Sequence, residues 1–282
     1  MVSRPIRFED LTELPDGPAT WFIFQGHKLL LRGDHTLPVG RAEDFAVDLV
    51  RPLGLLDGQP YVCAQLQGDP PDGYSLTPLR ALLGRLDDDL SGLAGYAAQV
   101  LDFNRTHQFC GRCATPLIFA GYEHSKVCPS CSLSVYPRVA PVAMVLIRRG
   151  SGPDTELLLA RGPNFAPGVY SALAGFVQPS ETLEHAAARE VQEEVGVEIR
   201  NLRYVLSQPW PFPHSLMIGF DAKWDGGEIA LQPEEIEDAR WFPIASLPHL
   251  PPPFSIARQL IDRAVSLGRR VDPYPVSHDH SF

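Results

Sequence analysis

Arg189, Glu190, Glu193 and Glu194 lie within six residues, near the end of a segment whose spacing predicts a helix. At 3.6 residues per turn, positions 190, 193 and 194 share one face. Three carboxylates so placed repel one another and hold protons unless a cation lies between them. Hard oxygen donors in this arrangement suit Mg²⁺ or Mn²⁺, which take carboxylate, water and phosphate oxygens. Arg189 stands one turn before Glu193 and can orient its carboxylate.

A second group of chemically active residues is Cys110-Gly-Arg-Cys113 and Cys128-Pro-Ser-Cys131, with fourteen residues between the two knuckles. Four thiolates at this spacing close a tetrahedral zinc site and leave no ligand position open, so the Zn²⁺ is expected to be structural. The third group is Ser207-Gln-Pro-Trp-Pro-Phe-Pro-His-Ser-Leu-Met217, with three prolines in five residues. Such a segment is expected to be a stiff extended loop, outside any helix or ladder, that presents Trp210 and Phe212 for stacking on a planar base.

The elements that must position these groups follow from pattern. Pro179 puts the helix start after it, Ser180 or Thr182 can cap it, and Gly196 ends it. Leu183, Ala187, Val191 and Val195 make an apolar stripe that should face a sheet. Strands are expected at 142–147, 156–160, 172–177, 202–207, 216–222 and 239–242, with a closing helix over 255–267. Together they predict an α/β/α sandwich with a mixed sheet over residues 138–282. Residues 1–104 read as a separate α+β domain, with strands at 21–24, 28–31 and 61–66 and helices at 79–83 and 90–104. Residues 105–137 carry the cysteines. Cys63 reads as a small core residue.

Composition narrows the partners. A net charge of −10 with no long basic run argues against duplex nucleic acid held through its phosphates. No apolar run reaches membrane-spanning length and no leader pattern opens the chain, so a cytoplasmic protein is expected. Five cysteines in such a chain point to a metal site and not to disulfides. The tail from Val271, with His278 and His280, is expected to be disordered.

The run from Gly175 to Val197 has glycine, glutamate, Arg-Glu, Glu-Glu and glycine at the fixed spacing of the Nudix box. With the SQPWPFPHS segment after it and a four-cysteine ribbon before it, the chain resembles the NADH pyrophosphatase branch of the Nudix hydrolases over residues 105 to 268. The resemblance implies hydrolysis of NAD(H) to AMP and NMN(H), removal of NAD caps from RNA 5′ ends, and a homodimer whose chains share the sites. It implies that Glu190, Glu193 and Glu194 hold divalent metal with the Ala174 carbonyl and Glu235, and that Glu194 activates water. Glu234, adjacent, competes for the role given to Glu235. It gives substrate contacts to Arg80, Glu123, Tyr136, Phe176 and Ala257, and to Gln208, Pro209, Trp210, Pro211, Phe212, Pro213, His214 and Ser215. Phe176 and Tyr136 would stack on a base, and Ala257 would meet it through its backbone. Many members of the branch have an acid and a glycine where this chain has Gln178 and Ser180; Ser180 is expected to stiffen the loop. Two other readings stay open: hydrolysis of a different nucleoside diphosphate derivative, such as ADP-ribose or a dinucleoside polyphosphate, and a non-catalytic module that binds RNA or protein.

Overall fold

The structure, a computed structural model, describes residues 13–121 and 124–269. It forms two compact units. The first takes the chain as far as Val139 together with Pro209–His214; the second takes Ala140–Gln208 and the chain from Ser215 onward.

The first unit is built on a sheet of strands β1 (Ala19–Gln25), β2 (Lys28–Arg32), β3 (Val39–Gly40), β4 (Val47–Leu56), β5 (Gln59–Leu66) and β6 (Tyr74–Pro78). The apolar run in β1 has no alternation because both its faces are buried. Phe22 and Phe24 enter one core cluster, Trp21 and Ile23 another. Helices α1 (Leu79–Leu82) and α2 (Asp88–Thr106) cover the Phe22 side, through Leu79, Leu93, Ala97, Val100 and Leu101. Asp87 caps α2 by accepting the Leu90 N–H at 2.8 Å, which satisfies one of the free donors of the first turn. The sequence gives no clear sign of β4, since it carries Pro52 and Gly54, two register shifts, and Leu49 at φ 48°.

The cysteine segment adds three short strands, β7 (Ile118–Phe119), β8 (Lys126–Val127) and β9 (Ser134–Val135), paired in that order.

The second unit has strands β10 (Ala140–Arg149), β11 (Glu156–Arg161), β12 (Leu173–Phe176), β13 (Glu198–Trp210), β14 (Ser215–Gly226) and β15 (Asp238–Pro243), and helices α3 (Leu183–Val195) and α4 (Ile256–Arg269). The α3 stripe packs with one face of the sheet through Ala187, Val191 and Val195. The other face receives Ile256, Leu260 and Ile261 of α4. This is the α/β/α sandwich that the sequence predicts.

The two sheets share one topology. Their orders are β4-β5-β1-β2-β6 and β13-β14-β10-β11-β15, with β3 on β1 and β12 on β10. The central pairs, β1 with β5 and β10 with β14, are parallel in both. The difference lies between the third and fourth strands of each unit. The second unit places α3 there; the first has a 3₁₀ turn over Ala42–Asp44. The first unit is thus a copy of the second without the helix that carries the acids.

Candidate functional site

Helix α3 is defined at both ends. Thr182 is the N-cap and accepts the His185 N–H at 3.2 Å, while Gly196 closes the helix in the left-handed region at φ 72°. The cap is Thr182 and not Ser180. Ser180 lies at φ 65°, where glycine is the relaxed residue. A serine at that position is therefore strained as well as less free than the glycine common in the branch.

The helix turns Glu190 and Glu194 inward, at 9% and 5% exposure, and leaves Glu193 half open. Glu190 lies against Gly175 of β12. A Cβ at position 175 would stand 1.8 Å from the Glu190 carboxyl carbon and 2.0 and 2.2 Å from its oxygens. The glycine at the head of the motif is therefore required by the carboxylate that arrives fifteen residues later in the chain.

Arg189 ties the acids together. Its Nε and one terminal nitrogen donate to both Glu181 oxygens at 2.7 and 2.9 Å. The other terminal nitrogen reaches Glu190 and Glu193, each at 2.8 Å, and a further bond at 3.0 Å goes to the Phe176 carbonyl. Glu181 also accepts the Gln178 N–H at 2.9 Å. The Arg189 hydrogen bonds, followed by that from Gln178, hold the Glu181 carboxyl down to about 2. Glu181 is the anchor of Arg189. Sequence reasoning noted its spacing and gave it no task; the fixed distance to Arg189 was the available signal.

Glu194 lies outside this web. Burial, then the charges of Glu190, Glu235 and Glu193, push its carboxyl up to about 8. Its Oε2 is buried and has no hydrogen-bond partner. Arg189, the nearby cation, is already shared among Glu181, Glu190 and Glu193. A buried carboxylate oxygen with no partner, among further carboxylates, fits a hard divalent cation. Glu235, and not its neighbour Glu234, is the downstream acid whose charge bears on Glu194.

The four ribbon cysteines bring their sulfurs within 4.8 Å of one another, with contacts of 3.5 and 3.6 Å. A zinc tetrahedron with Zn–S of about 2.3 Å places sulfurs about 3.8 Å apart, so the cluster fits the ion. Each knuckle closes in the same way: Ala114 N–H bonds the Cys110 carbonyl at 2.8 Å, and Ser132 N–H bonds the Cys128 carbonyl at 2.9 Å. The Arg112 and Cys131 N–H groups donate to the Cys110 and Cys128 sulfurs, each at 3.4 Å.

The remaining predicted contacts differ in their surroundings. Phe176 and Tyr136 are 59% and 56% exposed, free to meet a ligand. The proline-rich segment is not wholly a loop: β13 runs through Gln208, Pro209 and Trp210, and only Pro211–His214 turn. An edge strand tolerates a residue without an N–H, so Pro209 does not end it. Phe212 is not held out in solvent. It packs on the first unit's core, edge-on to Trp210 at 5.2 Å, and Pro211 is buried against Gly95. The Arg80 guanidinium lies 5.5 Å from the Trp210 ring centre and 4.8 Å from that of Phe212, so Arg80 braces this aromatic pair. Pro213 and His214 line a cavity of about 220 Å³ with Phe103, His107 and Arg138. Gln208 uses its amide on α4: it donates to the Phe254 carbonyl and accepts the Ile256 N–H, both at 2.8 Å. Ser215 and Ala257 are buried. Glu123 and the tail histidines lie outside the described residues.

Three family descriptions match in sequence: a NADH pyrophosphatase-like rudimentary NUDIX domain at residues 18–102, a NADH pyrophosphatase zinc ribbon domain at 105–136, and a NUDIX domain at 138–264. A protein of Deinococcus radiodurans named NAD-capped RNA hydrolase NudC is 51% identical over 93% of this chain and 94% of its own length. The protein of that name from Chromobacterium violaceum is 49% identical over 89% and 93%. A NUDIX hydrolase crystal structure from Nitrosomonas europaea is similar at 22% identity and a TM-score of 0.43, covering 56% of this chain and 90% of that one.

Proposed function

Because the chain belongs to the NAD-capped RNA hydrolases of the Nudix family, we propose that it cleaves the diphosphate of NAD(H) to AMP and NMN(H), and that of NAD-capped RNA to NMN and a 5′-monophosphate end. The observation that carries the reading is the unpartnered, buried Glu194 oxygen among Glu190, Glu193 and Glu235. These side chains, with the Ala174 carbonyl, would hold Mg²⁺ or Mn²⁺, more than one ion per site. Bound there, the ions neutralise phosphate oxygens and make phosphorus more electrophilic.

The chain's own groups do the rest. Arg189 fixes the Glu190 and Glu193 carboxylates, and Glu181 fixes Arg189. Glu194, which would be ionised once cations offset the neighbouring charges, takes the proton of the attacking water. The water oxygen bonds to one phosphorus as that phosphorus parts from the bridging oxygen, and two monophosphates leave. Phe176 and Tyr136 offer exposed rings to a base. The ribbon would hold one structural Zn²⁺ through Cys110, Cys113, Cys128 and Cys131.

Homodimer assembly and a cytoplasmic setting belong to the same reading. Phe109 and Ile118, exposed on the ribbon, support a protein interface there. Thiols arranged for a metal suit a reducing compartment.

The test is a substrate panel with Mn²⁺: NADH, NAD-capped RNA, ADP-ribose and a dinucleoside polyphosphate, with products separated by chromatography. AMP and NMNH should form from NADH. No cleavage of NADH or capped RNA, or faster cleavage of another substrate, overturns the proposal.

A further inference from the structure

Phe165 lies in the segment between β11 and β12 and is 42% exposed. No motif singles it out. Its place becomes clear from Gly162. A Cβ at Gly162 would stand 3.0 Å from the Glu235 carbonyl oxygen and 3.8 Å from the Phe165 ring. The ring and the backbone of Glu235 thus flank the same glycine, and Glu235 is an acid whose charge reaches Glu194.

The segment is braced. Phe165 N–H closes a turn on the Gly162 carbonyl at 3.1 Å. Before the turn, the Arg161 carbonyl accepts the Glu237 N–H at 2.9 Å, and its guanidinium pairs with the Glu237 carboxylate at 2.7 Å. After it, the Tyr170 N–H bonds the His249 carbonyl at 2.9 Å, and its hydroxyl bonds Asp238. A large apolar ring is therefore held open to solvent on a fixed segment, and no other aromatic ring among the described residues pairs with it.

Phe176 is the exposed ring on the Arg189 side of the acids, since its own carbonyl receives an Arg189 bond. Phe165 is the exposed ring on the Glu235 side. A dinucleotide has one base on each side of its diphosphate. We propose that Phe165 is a second base platform: with the diphosphate on the acids, one base stacks on Phe176 and the other on Phe165. This rests on the function proposed above.

Base–aromatic stacking of ordinary strength corresponds to roughly 5- to 150-fold in binding. The test compares steady-state NADH hydrolysis by the full-length, zinc-containing protein with Mn²⁺ for the parent, Phe165→Ala, Phe165→Leu, Phe165→Tyr and Phe165→Trp. The alanine and leucine variants should raise KM at least about 5-fold with kcat little changed, and the tyrosine and tryptophan variants should stay near the parent. A KM within twofold of the parent in Phe165→Ala overturns the platform. So does leucine serving as well as tyrosine, which would mean that the ring only fills space, or a fall in kcat at constant KM. Failure of the parent itself to cleave NADH would defeat the functional reading instead, so the two failures are distinct.

Discussion

Glu194→Gln should stabilise the metal-free protein while disabling it. The neutral carboxyl of Glu194 is favoured in the folded chain, with a pKa raised from 4.5 to about 8 by burial and by Glu190, Glu235 and Glu193. The sign follows from proton counting: between these two values the native state keeps a proton that the unfolded chain has lost, so stability falls as pH rises through that window and levels off above it. At pH 7.5 the interval is about three pH units, worth roughly 4 kcal/mol at about 1.4 kcal/mol per unit. Glutamine removes this cost, and at ~2–4 °C per kcal/mol the melting point should rise by about 10 °C. The assay is thermal unfolding from pH 4.5 to 8.5, on protein purified without Mg²⁺ or Mn²⁺ and with ribbon zinc in place. The parent should lose stability with rising pH and regain it with Mn²⁺; the variant should do much less of either. Turnover of NADH should drop by ~10²–10⁴-fold, the usual loss on removing a general base. A variant that melts at or below the parent at pH 7.5 with the same pH slope, or that turns over within tenfold of it, refutes the reasoning.

Gly175→Ala forces the Glu190 carboxylate out of its place, at the expense of a charged hydrogen bond to Arg189 worth about 1.5–3 kcal/mol. About 0.4–1 kcal/mol is recovered from the unfolded chain, so calorimetry should show a net loss of roughly 1–2 kcal/mol, and Mn²⁺ titration of activity a weaker half-saturation. Ser180→Gly relieves a left-handed serine, a strain of ~1–2 kcal/mol that exceeds the added chain entropy, and denaturant unfolding should show a small gain at unchanged kcat. Cys128→Ser removes one ligand from the sulfur cluster; metal analysis should find less than one zinc per chain, with a lower melting point for the first unit. Trp210→Ala should raise KM for NADH severalfold, and an unchanged KM would leave Trp210 with only its packing role.

The acid helix could be read from the sequence almost completely, because its period, cap and stop are local signals. Thr182, Gly196 and the stripe through Val191 are all where the pattern puts them. The cysteine knuckles were equally plain, since a tight turn fixes their spacing. What sequence could not supply was the reason for Gly175, which depends on where the Glu190 side chain rests after folding. Glu181 was hidden for the same reason: its partner Arg189 is eight residues away in the chain, and the two side chains meet at 2.7 Å only in the folded protein. Strand β4 was missed because its bulges break the alternation that marks a strand. The continuation of β13 through Pro209 was missed because proline argues against a ladder except at an edge. The shared order of the two sheets could not be read from local patterns, since it depends on which strands pair after folding.

The tip of the hairpin between β13 and β14 counts with the first unit and not with the strands that carry it. An excised fragment beginning at Arg138 would keep every acid of α3, yet it would bring Pro211 and Phe212 into water without Gly95 or the α2 surface beneath them. Such a fragment would be a sticky, ill-set version of the enzyme, and its weakness could be mistaken for a defect in chemistry. The first unit, which has no acid-bearing helix of its own, therefore has a use as a mould for the tip of a hairpin whose strands lie in the other unit.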